Sequence, residues 1–441
     1  MRTRQDVLHR ARAHLAEPLV LSGYSLIVST GLGGVLGVVF WAVAARVFTP
    51  SEVGTDGVLI TVMITLSSVC QLNMGNALLR FLPQTGDRAG RTVLRAYGIA
   101  SLAAVLGGIV FVAAAPSISE SLAFLTDSVW LPFAFVAAVV LWGIFALEDA
   151  ALTALRCAPW LPAENSAFGI AKIAALPVAL ALGISNGVFA AWVVPLLVIV
   201  PVMNWLLFRR AIGAHLAASH APPERRFERR ALVRFIATDY LGSVFGQATI
   251  TLIPLVVLHA LGSRLTGFFY IPFAVISAFD SLFYGVTTSL VAEAARDEPR
   301  RRELTHLVVR RFLAFHVPAA LLIVVVAPLV LLPFGADYAH QGTTLLRLLA
   351  LASCFRAVVV LYAAVCRVEG RSGRLAVVEA ALLVTLVPGV AILANSHGLN
   401  GVGVAWLIGN ALVALAVAAP LLRFLRREQR PGPGAGQRQP A

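Results

Sequence analysis

The chain is a succession of apolar runs separated by short polar connectors, each run about the 20 residues that a helix needs to cross the hydrocarbon of a bilayer. The runs fall at residues 21–48, 57–82, 92–115, 130–155, 166–184 and 188–208, and again at 235–260, 268–293, 307–332, 343–366, 375–396 and 401–423. Inside hydrocarbon the chain must satisfy its own backbone N–H and C=O groups, which leaves helices and closed barrels. These runs are too long and too evenly apolar for the alternation of a barrel strand. The expected fold is an all-α polytopic membrane protein of about 12 transmembrane helices. Composition agrees: 59% of residues are hydrophobic, 13% are charged and mean hydropathy is +0.84, beyond the needs of a soluble core.

One long polar stretch interrupts the series. Residues 208–234 carry Arg209, Arg210, Arg225, Arg226, Arg229, Arg230 and Arg234, and Pro222 and Pro223 break any helix that would pass through. Six runs precede it and six follow. The expected organisation is a basic amphipathic N-terminus at 1–20, a first six-helix bundle at 21–210, a basic linker at 211–234, a second six-helix bundle at 235–423 and a disordered basic tail at 424–441. Such a split fits two parallel repeats about an axis along the membrane normal.

Arginine-rich connectors stay in the cytoplasm. Placing both termini there puts nearly all basic residues inside, with Arg46 and Arg264 outside and Arg347 and Arg356 within the membrane. Reversal would invert that ratio. The outer connectors, near 49–56, 116–129, 185–187, 261–267, 333–342 and 397–400, are too short for a soluble domain. The first 20 residues lack a small-residue cleavage site, so they are expected to lie uncleaved on the inner surface.

The formal charge of +13 recurs at connectors rather than along one stripe, which excludes nucleic acid as a partner and leaves membrane lipids. Cys70, Cys157, Cys354 and Cys366 show no paired spacing, and the nine histidines are scattered, so neither a disulfide framework nor a metal site is implied. His316 alone stands out, inside an apolar run. Gly31, Gly33, Gly34 and Gly37 loosen the first run, and Gly242, Gly246 and Pro254 occupy the matching run of the second half. Gly33 and Gly37 form a GxxxG pair, which fits close helix packing, with bending as the alternative.

The segment WAVAARVFTPSEVG, residues 41–54, leads into a second run ending GNALLRFLP, residues 75–83. This resembles the polysaccharide-exporter, oligosaccharide-flippase branch of the multidrug/oligosaccharidyl-lipid/polysaccharide (MOP) superfamily, whose chains open with a helix, an Arg-x-x-x-Pro-x-x-x-Gly-like turn and a helix ending in arginine. The matching positions are Arg46, Pro50, Gly54 and Arg80. Further echoes are LEDAALTALRCAPWLPAEN at 147–165, the stretch at 239–262, and GLNGVGVAW at 398–406. The resemblance covers most of the chain and implies two six-helix bundles of the MATE/MOP type in the cell inner membrane. It also implies a lipid-linked oligosaccharide as cargo and polysaccharide polymerase and glycosyltransferases as partners in surface polysaccharide or lipopolysaccharide biosynthesis. The two further C-terminal helices usual in the lipid II flippase branch are not expected here, so the resemblance implies a cargo other than peptidoglycan precursor.

Charges within the runs are Arg80, Glu148, Asp149, Lys172, Asp239, Asp280, Arg347, Arg356 and Glu379. Each would cost about 2.5–3.5 kcal/mol facing lipid at mid-membrane, so they are expected to face the interior, a partner or water. Arginine binds phosphate oxygens bidentately and stays charged, so Arg46, Arg80, Lys172, Arg347 and Arg356 are the candidates for a cavity that takes a polyprenyl pyrophosphate. Internal ion pairs, Asp280 with Arg356 or Glu148 with Lys172, are the competing reading, and Asp149 and Arg156, seven apart, would share a helix face. Glu148, Asp149, Asp239 and Asp280 are candidates for coupling to H+ or Na+, or for such pairs. No catalytic residue, resident cofactor or metal is implied.

The reading is a flippase working by alternating access. Three others compete: a MATE-like small-molecule cation antiporter, which would want an acidic, aromatic cavity; a membrane glycan polymerase or ligase, which would want a sizeable outer loop; and a membrane scaffold without transport, in which the buried charges would be purely structural.

Overall fold

The computed structural model describes residues 18–126, 129–218, 229–296, 301–368 and 371–428. The expected amphipathic N-terminus, the centre of the linker and the tail beyond Glu428 fall largely outside the described residues. The first half contains α1 (Pro18–Val47), α2 (Pro50–Cys70), α3 (Met74–Phe81), α4 (Ala89–Ile118), α5 (Trp130–Ala154) and α6 (Leu161–Ala181). It closes with α7 (Gly187–Val193), α8 (Leu196–Leu206), a π-helical turn (Leu207–Ala211) and α9 (Ile212–Ala218). The second half contains α10 (Arg229–Arg296), α11 (Arg301–Leu331), α12 (Ala336–Val368) and α13 (Ser372–Glu428). Among the described residues, eight helical segments are long and apolar enough to cross a membrane. The chain is a multi-pass membrane protein.

Two single glycines stand where the sequence placed whole connectors. Gly262 (φ 75°, ψ 173°) breaks α10, and Gly398 (φ 59°, ψ −140°) breaks α13. Both conformations lie at positive φ, where a Cβ is strained. At Gly398 the chain doubles back closely enough that a side chain on Gly401 would overlap the Leu393 carbonyl.

Helix starts differ from the hydropathy reading because polar residues begin helices before the apolar run is reached. The expected connector at 49–56 shrinks to two residues. Thr49 and Glu52 form a capping box, Thr49 Oγ1 accepting from the Glu52 N–H and the Glu52 carboxylate accepting from the Thr49 N–H at 2.8 Å, and Pro50 takes the first turn. The second run breaks at Leu72 (φ 49°) and Asn73 (φ 62°), separating α2 from α3. Arg156 (φ 62°) lies beyond the end of α5, so it does not share a helix face with Asp149.

The helices of each half pack largely on one another, α1 on α6 and α4 on α5 in the first, α12 on α11 and α13 in the second. The halves meet where α2 and α1 lie against α10. Gly31, Gly33, Gly34 and Gly37 have open space where a Cβ would stand, so the GxxxG pair is not a packed interface here. Gly246 in the second half is close-packed: a Cβ there would lie 3.1 Å from the Glu379 carboxylate.

Candidate functional site

A cavity of about 840 Å³ opens between the two halves, toward the end at which α9 finishes and α10 begins. The first half supplies the end of α2 and the break after it, with Ser68, Gln71, Asn73 and Asn76; the second supplies Ser243, Gln247 and Asp280 from α10, Arg356 from α12 and Glu379 from α13. The left-handed turn at Leu72 and Asn73 is what lays amide side chains along one wall. Asn76 Nδ2 donates to Asn73 Oδ1 at 2.6 Å, while Asn73 Nδ2 has no hydrogen-bond partner. At the mouth, Tyr240 Oη donates to the Val69 carbonyl at 2.8 Å and ties the halves together.

The other end is sealed. A Cβ on Gly54 would overlap the Ser263 carbonyl and lie 2.5 Å from the Gly267 nitrogen, and one on Gly267 would overlap the Pro50 carbonyl. The backbones of α2 and α10 therefore touch without intervening side chains. Beside this contact the Tyr270 ring lies tilted against Trp41, centroids 4.6 Å apart, and its hydroxyl meets Thr61 Oγ1 at 2.8 Å. Arg46 reaches across from the end of α1, its Nε donating to the Pro333 carbonyl and its Nη2 to the Leu332 carbonyl, both at 2.9 Å.

The arrangement of helices in the two halves has counterparts among solved structures. The fold is that of the MATE transporters and of the lipid II flippase MurJ. An inward-facing MATE transporter of the MOP superfamily superposes with TM-score 0.64 at 15% identity, over 95% of this chain and 98% of that one. Lipid II flippase MurJ in an inward closed conformation superposes with TM-score 0.72 at 13% identity, over 93% and 90%. An outward-facing MATE conformation scores 0.59 at 13% identity, over 94% and 96%. No family model matches the sequence, and the search of curated proteins finds no match.

Within this MATE- and MurJ-like fold the five basic candidates separate. Arg356 alone lines the cavity. Arg46 belongs to the seal. Arg347, on an exposed face of α12, donates from Nε to the Val324 carbonyl at 3.1 Å. Arg80, at the end of α3, lies 5.5 Å from the Phe81 ring. Lys172 is buried inside the first half at 5% exposure, its Nζ 3.5 Å from the centroid of Trp192, 5.0 Å from Phe168 and 5.2 Å from Phe40. Of the five, the described lining of this cavity carries one, Arg356, beside Asp280 and Glu379.

The acidic candidates separate too. Asp280 and Arg356 do meet, Oδ2 to Nε at 3.9 Å. Glu148 is fully buried and makes no hydrogen bond, so the alternative Glu148–Lys172 pair does not form. It stands instead within electrostatic range of Asp149 and of Glu164 on α6, with the buried Tyr97 hydroxyl facing all three. Glu164 and Tyr97 escaped the sequence reading; Pro162, which opens α6 early, was the available signal that Glu164 is helical. Asp239 lies on α10 with its side chain outside the described residues.

Two further polar groups settle into structural roles. Asp56, 1% exposed, accepts from Asn186 Nδ2 at 2.9 Å and from the Val188 and Phe189 N–H groups at 3.0 and 3.1 Å, capping α7. His316 is buried behind Asp280 and contacts Ser353.

Proposed function

We propose that the protein is a flippase that moves a polyprenyl-pyrophosphate-linked oligosaccharide across the cytoplasmic membrane for surface polysaccharide synthesis. The observation that carries this is the cavity lining. Gln71, Asn73, Asn76, Ser243 and Gln247 offer neutral donors and acceptors of the kind that hydrogen-bond sugar hydroxyls, and Arg356 is placed among them to take a phosphate. The polar head would enter from the cytoplasmic side while the prenyl tail stays in lipid, and opening of the Gly54–Gly267 seal would release it outside. A membrane potential positive outside favours outward movement of an anionic head by about 2.3 kcal/mol per charge per 100 mV. Polysaccharide polymerase and glycosyltransferases are the partners this reading implies, and any coupling to H+ or Na+ would fall to Asp280 or the Glu148–Asp149 cluster.

Deletion should cause one pyrophosphate-linked oligosaccharide to accumulate in extracted polyprenyl lipids, measured by mass spectrometry. Replacing Arg356 by Ala should reproduce that accumulation with folded protein in the membrane. An unchanged lipid profile in a cell with an active glycan pathway and no second flippase would remove this reading. The presence of two carboxylates against one arginine in the lining supports a second reading, a small-molecule cation antiporter, to which an unchanged profile would turn the assignment.

A further inference from the structure

Arg356 and Asp280 face the cavity together, and their geometry is that of a loose pair. The 3.9 Å between Nε and Oδ2 exceeds hydrogen-bond length, and the side chains are 28% and 24% exposed. Among the described residues, Asp280 is the one charged partner of Arg356. Its guanidinium donors therefore remain available to an incoming acceptor.

The carboxylate, by contrast, is anchored from behind. Asp280 Oδ1 accepts from the Ser353 hydroxyl. Ser353 Oγ lies 2.9 Å from His316 Nε2, which also lies 3.2 Å from the Ser353 carbonyl. A carbonyl only accepts, so Nε2 carries a hydrogen and the chain runs His316 N–H to Ser353 O–H to Asp280. The imidazole is in turn held against Phe312, stacked at 5.1 Å, and Phe279 at 4.9 Å. Ser353 and Arg356 are three apart on α12 and so share a face. The arrangement fixes one oxygen of Asp280 and leaves the other opposite a cation on a flexible stem.

We propose that Asp280 is a displaceable counter-ion: it holds Arg356 in the empty cavity, and an acidic group of the cargo competes with it for the guanidinium, while Ser353 and His316 keep the carboxylate from closing on Arg356. This rests on the reading of the cargo as an anion bound by Arg356. Binding then leaves Asp280 charged without its counter-ion, so cargo affinity is held down and release is eased. Asp280 is in this sense a tuning residue, and Ser353 and His316 are positioning residues.

The test is binding of inorganic pyrophosphate to the purified full-length protein in detergent by isothermal titration calorimetry. Asp280→Asn keeps the shape and can still accept from Ser353, but removes the competing charge; affinity should rise about tenfold, the scale of one charge-assisted contact. Ser353→Ala leaves the charge but frees the carboxylate to close on Arg356, so affinity should fall several-fold. A role in folding alone would not drive the two variants in opposite directions. The gain from Asp280→Asn should vanish in the Asp280→Asn/Arg356→Ala double variant. If Arg356→Ala abolishes binding while Asp280→Asn fails to tighten it, the competition is refuted and the anionic-cargo reading stands. If Arg356→Ala leaves pyrophosphate binding unchanged, both fall. Should Asp280→Asn not fold, Ser353→Ala decides alone, and unaltered affinity there refutes the proposal.

Discussion

Replacing Gly54 by Ala should open the sealed end. The three atoms nearest the added Cβ, the Ser263 carbonyl oxygen, the Gly267 nitrogen at 2.5 Å and the Thr266 carbonyl carbon at 3.0 Å, all belong to the backbone of α10. No side chain can rotate away, so α2 and α10 must separate by about an ångström to restore ordinary contact, and overpacking of this kind costs about 1–3 kcal/mol. Alanine also stabilises a helix by about 1 kcal/mol relative to glycine. That gain applies whether the end is sealed or open, so it cancels in the equilibrium between the two. The steric term alone then shifts the population toward the open state by about 5- to 150-fold. The assay is maleimide labelling of Thr266→Cys, fully buried beside the contact, in detergent and with the four native cysteines replaced. Labelling should accelerate in proportion to the open population, with the folded fraction unchanged. Equal labelling with and without Gly54→Ala would show that the two backbones part no more readily for the clash, and would refute the seal.

Arg46→Ala should open the same reporter more weakly, about fivefold, because its two carbonyl contacts are exposed; Arg46→Lys, which cannot span both carbonyls, should fall between, and no change would remove Arg46 from the seal. Lys172→Met should raise the melting temperature, since the desolvation of a buried ammonium exceeds the about 2 kcal/mol that an aromatic cage returns. A lower melting temperature than wild type would show the cage to be net stabilising. Asp56→Ala should destabilise by about 3 kcal/mol through loss of three hydrogen bonds, read as a fall in thermal stability, whereas an unaltered melting curve would show α7 capped without it.

The helical membrane class was legible because hydropathy is a local property: a run of about 20 apolar residues announces a spanning helix wherever it later packs. The precise starts were not, since Thr49 with Glu52, and Pro162 ahead of Glu164, begin helices in polar sequence. The first-helix glycines misled for a different reason. Gly33 and Gly37 have the spacing of a packing motif, but spacing does not show which face meets a neighbour, and here that face has room. The glycines that do bring backbones together, Gly54 and Gly267, are more than 200 residues apart and share no local pattern.

The basic residues show most clearly why a site is harder to read than a fold. Four of the five candidates satisfy the same sequence criterion, a cation in an apolar run, and Arg46 stands at the outer end of one; the structure nonetheless gives them different surroundings, backbone carbonyls for Arg46 and Arg347, aromatic rings for Lys172 and a carboxylate for Arg356. Carbonyl partners fix an arginine to a backbone, and burial among rings leaves Lys172 no path to a ligand. A carboxylate at 3.9 Å on a cavity wall is the one partner of these that another anion can replace in kind. The distinction rests on what each cation touches across the fold, and for Arg356 that partner lies 76 residues away on another helix. Among the five basic candidates, Arg356 is thus the one that combines a weak partner with a place on the cavity wall.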